Sequence, residues 1–303
     1  MTTPQLDPII ANLLAGAPPE PDYAILTAAE ARAGLKSRIG PLLAMAPQPA
    51  RRDDISIPGP GGALPLRIIR PAGPGPHPVL LFIHGGGWVI CDNDTHQPMA
   101  VAFANAADVA VVMVDYRLAP EHAFPAAVDD CLAALAWVRA EGAAHGLDGS
   151  RMVVAGDSAG GNLAAVVAAH ARDIAGQLLI YPVTDHVDAA RHPSYVENGE
   201  GLGLSGAGMH WYWQQYGGDG PDARPLQRND LAGLPPALVQ TAQWDVLRDE
   251  GEAYAHAMQA AGVAVELIRY PSGNHGFYAF IGLVADADRA VADAARWLRS
   301  RLG

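Results

Sequence analysis

Residues 152–170 read Met152-Val153-Val154-Ala155, then Gly156-Asp157-Ser158-Ala159-Gly160-Gly161, then Asn162-Leu163-Ala164-Ala165-Val166-Val167-Ala168-Ala169-His170. An apolar run of strand length passes through a Gly-x-Ser-x-Gly turn into an alanine-rich run of helix length. In that setting the turn reads as a nucleophile elbow. The reason is steric: the serine's backbone is strained in a tight turn, and neighbouring chains come so close that only glycine fits two residues before it and two after. The turn lifts the Ser158 hydroxyl above the strand ends. It also points the Ala159 N–H, at the start of the next helix, toward the place where an oxyanion would form. The plain alternative is an ordinary Ser-Gly turn, and the strand before and helix after weigh against it.

Outward from this turn, short β-rich runs alternate with helical ones. The strand-like runs are Ile55 to Ile57, Leu64 to Ile69, Val79 to Ile83, Val109 to Val114, Met152 to Ala155, Leu178 to Ile180, Ala237 to Thr241 and Val263 to Arg269. The middle ones are apolar throughout, as parallel strands covered on both faces must be. Between them, Ala126 to Arg139 places Val128, Cys131, Leu132, Leu135 and Val138 on one helical face, and Asp286 to Leu302 does so with Val291, Ala294, Leu298 and Leu302. The alternation predicts an α/β fold, a mostly parallel eight-stranded sheet with helices on both faces.

A second glycine-rich turn, His84-Gly85-Gly86-Gly87-Trp88, follows the run Val79 to Ile83. Successive glycines leave backbone N–H groups uncovered, so Gly86 and Gly87, with Ala159, are the candidate oxyanion donors. A phosphate-cradling loop would need a lysine with a serine or threonine, or a spaced Gly-x-Gly-x-x-Gly, and has neither here. His84, at the strand end, reads as a structural hydrogen-bonding residue. A serine hydroxyl needs an imidazole base held by a carboxylate, and on such an elbow the order is Ser, acid, His. Asp245 follows the run Ala237 to Thr241, and His275 follows the run Val263 to Arg269 in a glycine-flanked loop. These are the candidate acid and base. Asp249 and Glu250 compete less well because they open the next helix, where they complement its dipole. Asp157 reads as a residue holding the elbow.

Composition limits the function classes. The 303 residues are 50% hydrophobic and 17% charged, which excludes general disorder. A net charge of −12 predicts repulsion from nucleic acid and from anionic membranes. Cys91 and Cys131 make no disulfide framework, no Cys/His cluster has metal-ligand spacing, and no run approaches the roughly 18 apolar residues of a membrane span. Met1 to Ile10 does not read as a signal peptide, so the expectation is a soluble cytoplasmic protein.

Two segments lie outside the alternation. Residues 1 to about 50 read as a helical arm: a short helix around Ile9 to Leu14, prolines at 18, 19 and 21, then the capping box Thr27-Ala28-Ala29-Glu30 followed by Leu35, Ile39, Leu42 and Leu43 at helical spacing. The second, about 185–230, is too long for an ordinary crossover and holds a helix over Ser205 to Tyr216 carrying Trp211, Tyr212, Trp213 and Tyr216. Together they are expected to cap the strand ends of a catalytic domain spanning 51–303. Trp88, Trp211, Trp213, Phe277 and Tyr278 are candidate pocket walls, with core packing an equally good account of each. The sharper expectation is that Trp88 limits acyl length, so that Trp88→Ala gains activity on long-chain esters.

The motifs together resemble the hormone-sensitive-lipase-like esterases, the bacterial family IV group of α/β-hydrolases. The resemblance rests on His84 to Trp88, Gly156 to Gly161, Asp115-Tyr116-Arg117-Leu118-Ala119-Pro120-Glu121-His122 with Phe124-Pro125-Ala126-Ala127, Asp245 to Gly251, and Asn274-His275-Gly276-Phe277. It spans Pro78 to about Phe280, some two-thirds of the chain. Many relatives carry proline after the acid, where this chain has Val246. The resemblance implies an N-terminal cap, the triad Ser158, Asp245 and His275, and hydrolysis of short or medium acyl esters without a cofactor. It also raises a homodimer through a sheet-edge strand, although no interface is visible in the sequence. An amide or formamide hydrolase could use the same triad. A non-catalytic receptor on this fold would typically lack the base, and a lipase acting at oil–water interfaces would want a long apolar lid helix.

Overall fold

The computed structural model describes residues 4–45, 48–188 and 190–303. The side chain of Leu42 on the predicted helical face, and the first three residues of the N-terminal stretch, lie outside the described parts. The strand-like runs become β1 (Arg51–Gly59), β2 (Gly62–Arg70), β3 (His77–Ile83), β4 (Ala110–Val114), β5 (Leu147–Asp157), β6 (Gly176–Ile180), β7 (Ala237–Trp244) and β8 (Val265–Asn274). The helices are α1 (Pro8–Ala15), α2 (Ala28–Met45), α3 (Asn93–Ala107), α4 (Ala126–Glu141), α5 (Ala159–His170), α6 (Ser194–Glu197), α7 (Gly206–Tyr216), α8 (Arg248–Ala260) and α9 (Ala285–Leu302). The strands form one sheet in the order β1-β2-β4-β3-β5-β6-β7-β8. β2 runs antiparallel to β1 and β4, and the pairs from β4 through β8 are parallel.

Each face of this sheet buries its own core. Val79, Leu81 and Ile83 of β3 point toward α4, α5 and α8, while Leu80 and Phe82 point toward α3 and α9. Period-two alternation on a strand covered from both sides is why β3 reads as continuously apolar. α5 is the most enclosed helix: Ala159 through Ala169 are all buried. Small side chains let it press directly onto the sheet beneath the elbow.

The arm forms its two helices. Asp7 caps α1, its side chain accepting from the Ile9 N–H at 2.8 Å, and Pro8 occupies the first helical turn. The capping box of α2 closes both ways: Thr27 N–H to Glu30 Oε2 at 2.9 Å, and Glu30 N–H to Thr27 Oγ1 at 3.2 Å. The arm rests on the catalytic loops and on the insertion. Asp7 N–H donates to Ser272 O at 3.0 Å, Ser205 Oγ to Glu20 Oε2 at 2.9 Å, and Trp211 Nε1 to Leu26 O at 3.2 Å. No helix among the described residues is long and apolar enough to cross a membrane.

Candidate active site

β5 ends at Asp157 and α5 begins at Ala159, leaving Ser158 alone in the turn at φ 56° and ψ −121°. A non-glycine residue in that conformation is strained and persists only because its surroundings enforce it. Ser158 N–H donates to Ile180 O at 2.8 Å, and Val183 N–H donates to Ser158 O at 3.2 Å. The flanking glycines are required by close approach: a Cβ on Gly156 would lie 2.2 Å from Gly160 O, and one on Gly160 would lie 2.0 Å from Ile83 O.

The loops after β7 and β8 bring their predicted residues to this serine. His275 Nε2 lies 3.0 Å from Ser158 Oγ, and His275 Nδ1 lies 2.8 Å from Asp245 Oδ2. Asp245 is fully buried, and its other oxygen accepts the Leu247 N–H at 2.9 Å. Because the carboxylate only accepts, the chemistry assigns the proton of neutral His275 to Nδ1, leaving Nε2 free to receive the Ser158 proton. The Tyr181 ring packs against the imidazole with centroids 4.8 Å apart.

The glycine turn stands beside the elbow with its peptide planes locked. His84 Nδ1 bonds to Gly85 O at 2.8 Å, and Gly86 O accepts from Val89 N–H at 3.0 Å and Ile90 N–H at 2.9 Å. In a trans peptide the N–H points opposite the carbonyl, so fixing these two carbonyls also fixes the Gly86 and Gly87 N–H groups. Ala159 N–H belongs to the first turn of α5, where the helix supplies no acceptor of its own. Asp157 ties the two turns together, accepting Gly85 N–H at 2.9 Å and facing His96 Nε2 at 3.3 Å. Burial alone would push Asp157 up; the His96 imidazole and the Gly85 N–H outweigh it and hold the carboxyl below its ordinary value. His96 is correspondingly raised despite its burial. His84 is lowered to about 4, by burial first and by the neighbouring His96 second.

Of the aromatics singled out in the sequence, Trp88, Trp211, Trp213 and Phe277 are all buried. Trp88 stacks on Tyr216 at 4.1 Å and meets Trp213 at 4.8 Å, and Phe277 packs edge-on against Tyr181 at 5.7 Å. Between Trp211 and Trp213, Tyr212 turns the other way: a Cβ on Gly87 would lie 2.1 Å from its ring. Tyr212 and Tyr181 were not legible as site residues. Helical periodicity on α7 could have separated Tyr212 from its neighbours, and Tyr181 directly follows a buried strand. A cavity of about 650 Å³ opens between α2 and the start of α3, walled by Leu35, Ile39, Leu43, Cys91 and Leu118. Ser158 does not line it. Burial pushes the Cys91 thiol up, which removes thiolate character.

A Ser–His–Asp hydrogen-bond chain raised over the carboxyl ends of a parallel sheet defines a serine hydrolase of the α/β type. The comparisons agree. Residues 80–279 match the family model described as alpha/beta hydrolase fold. The chain is 44% identical over 240 residues to the carboxylic ester hydrolase LipN of Mycobacterium tuberculosis, a match covering 74% of this chain and 63% of that protein. It is 36% identical over 292 residues to an ethyl acetate hydrolase of Pseudomonas putida, covering 91% of each. The solved esterase of Pyrobaculum calidifontis superposes with a TM-score of 0.91 at 38% identity, covering 97% of this chain and 98% of that one. The chain therefore belongs to the α/β-hydrolase family, in its hormone-sensitive-lipase-like branch, and is a serine carboxylic-ester hydrolase.

Proposed function

We propose that Ser158, His275 and Asp245 carry out hydrolysis of short- to medium-chain acyl esters through an acyl-enzyme. The observation that carries this reading is the chain of 3.0 and 2.8 Å contacts that ends on a strained serine in the elbow. His275 Nε2 takes the Ser158 proton as Oγ bonds to the ester carbonyl carbon. The carbonyl oxygen becomes an oxyanion on the Gly86, Gly87 and Ala159 N–H groups. As the tetrahedral intermediate collapses, the ester C–O bond breaks and His275 returns the proton to the leaving alcohol. Water, deprotonated by the same imidazole, then attacks the acyl-enzyme and restores Ser158. Asp245 holds the imidazole and stabilises its charged form throughout.

In the same reading, the arm and the insertion cap the site. Tyr212 presents the pocket surface, backed by the buried Trp88, Trp211, Trp213 and Phe277, while Tyr181 is buried against the His275 ring. Two free cysteines, Cys91 and Cys131, suit a reducing cytoplasmic compartment. β8 forms one edge of the sheet, and pairing through it would give a homodimer, which sedimentation can measure. The test is a p-nitrophenyl ester series from acetate to palmitate with Ser158→Ala alongside. Fast turnover of the short esters, abolished in the variant, is expected. Folded wild-type protein that turns over amides but none of the esters would overturn the ester assignment.

A further inference from the structure

The insertion does more than cover the site. Within a few residues it bonds to both loops that carry the triad's acid and base. Asn198, buried at the end of α6, donates from Nδ2 to Asp245 O at 2.9 Å and to Gln243 O at 3.2 Å. Leu202, four positions on, accepts at its carbonyl from Asn274 Nδ2 at 2.9 Å. Asn274 is itself buried and directly precedes His275. Upstream, Ser194 donates from Oγ to Val246 O at 2.6 Å and from its backbone to Asp249 Oδ2 at 2.7 Å.

The sheet alone does not set this geometry. The β7–β8 ladder shifts register after Ala242, and its last pair is Trp244 with Asn274. Asp245 and His275 each lie one residue beyond that pair, so their turns leave the sheet unpaired with each other except through the triad contact. We propose that segment 198–202 is a strap that sets the Asp245–His275 distance, with Asn198 and Asn274 as positioning residues for the triad. Asn198 fixes the peptide plane following Asp245. Asn274 ties the residue before His275 to the same short stretch of chain. Buried amides whose donors go to backbone carbonyls hold those carbonyls in one place; without Asn198, the carbonyls of Asp245 and Gln243 would keep only 3.3 Å bonds from Arg248, which lies on the helix after the acid and not on the insertion. Misplacing a reacting group by about 1 Å costs on the order of 100-fold in rate.

The inference rests on the triad reading above, so Ser158→Ala and Asp245→Asn are assayed beside the test variants; activity in both would fault the triad itself, whatever the strap variants do. The experiment compares Asn198→Ala, Asn274→Ala and the double variant with wild type, with rates normalised to active-site concentration by phosphonate titration. Val196→Ala, in the same insertion but with its side chain in solvent, is the control. The expected result is a fall in kcat of roughly 10- to 100-fold for each single variant, with KM within about twofold. The double variant should lose no more than the worse single one, because both amides act on one strap. The downfield Nδ1 proton of His275 should also weaken or shift in the variants' NMR spectra, which a general loss of stability would not produce. Lower melting temperatures with unchanged kcat per active site, or strictly additive losses, would overturn the proposal. Failure of both single variants to fold would assign the two amides to the core and overturn it equally.

Discussion

His84 is fully buried, stacked on Tyr116 at 4.3 Å, with Nδ1 committed to Gly85 O and Nε2 without a partner. Its pKa in the folded protein is about 4, below the ordinary 6.5, so between those values the folded state binds fewer protons than the unfolded one. Stability should therefore rise with pH across that window and be lost as pH falls from about 6.5 through 4, by an amount on the order of 3 kcal/mol. His96 works in the opposite sense and at higher pH: its raised pKa contributes stability below its unfolded value, which is lost as pH rises through the folded one. Urea unfolding from pH 4.5 to 7 should show the acid loss in wild type and a flatter curve in His84→Asn, whose amide nitrogen can replace Nδ1. Equal slopes in the two proteins would refute the assignment. Gly87, at φ 59° under the Tyr212 ring, gives a second test. Gly87→Ala should lose most activity, and adding Tyr212→Ala should restore part of it by removing the clash, although the φ cost remains; no recovery would place the damage in the backbone alone. Ser158, Asp245 and His275 were legible in the sequence because a strained elbow and strand-end loops demand particular residues at particular places. Tyr212 and Asn198 were not, because nothing local marks a side chain whose role is set by a chain far away in sequence.

At the scale of elements, α2 reaches the glycine turn through one side chain. Arg32 donates from Nε to Val89 O at 2.7 Å and from Nη2 to Ala119 O at 2.9 Å, and its two Nη groups fork onto Glu121. The Arg32 guanidinium holds the Glu121 carboxyl down to about 2. Val89 N–H in turn fixes Gly86 O, so the arm is wired to the candidate oxyanion donors through two successive bonds. Arg32→Met should weaken the attachment of the arm by about 1–3 kcal/mol and cost roughly tenfold in kcat, since charge-assisted bonds to partly buried carbonyls are lost. Glu121→Gln removes only an exposed ion pair and should stay within about 1 kcal/mol. Urea titrations followed by ester hydrolysis, with initial rates, would separate the two, and equal effects would mean that the ion pair, not the carbonyl contacts, holds the arm. The eight strands and the capping box of α2 followed from periodicity and local chemistry alone. α3 was not among the helices predicted, since Pro98 breaks its helical pattern. In the structure Asp92 and Thr95 form a reciprocal cap that starts the helix, and Pro98 lies in its second turn, where it gives up the bond to the residue four back and crowds that residue's carbonyl.

The whole molecule divides into parts of unequal burial that the catalytic chain nevertheless needs together. β3, β4 and β6 are almost wholly buried, as is α5 from Ala159 through Ala169, whereas of the described side chains in α2 only Ala28 is buried. Both segments outside the sheet still hold the site: the arm through Arg32 and Asp7, the insertion through Ser194, Asn198 and Leu202. Local opening costs least where few apolar side chains are covered and most in core strands and helices. The arm should therefore detach before the sheet unfolds, and its detachment should release the glycine turn. In graded urea, ester hydrolysis should fail at a lower midpoint than the far-UV circular dichroism signal, which reports mainly the sheet and its flanking helices. Native-state hydrogen exchange should agree, with α2 amides exchanging at a free energy well below that of β5 and α5. The two stabilities are separable, so Arg32→Met should lower the activity midpoint and leave the spectroscopic one nearly in place. Coincident midpoints in wild type, with α2 amides protected as fully as those of α5, would instead mean that arm and sheet fold as one cooperative unit.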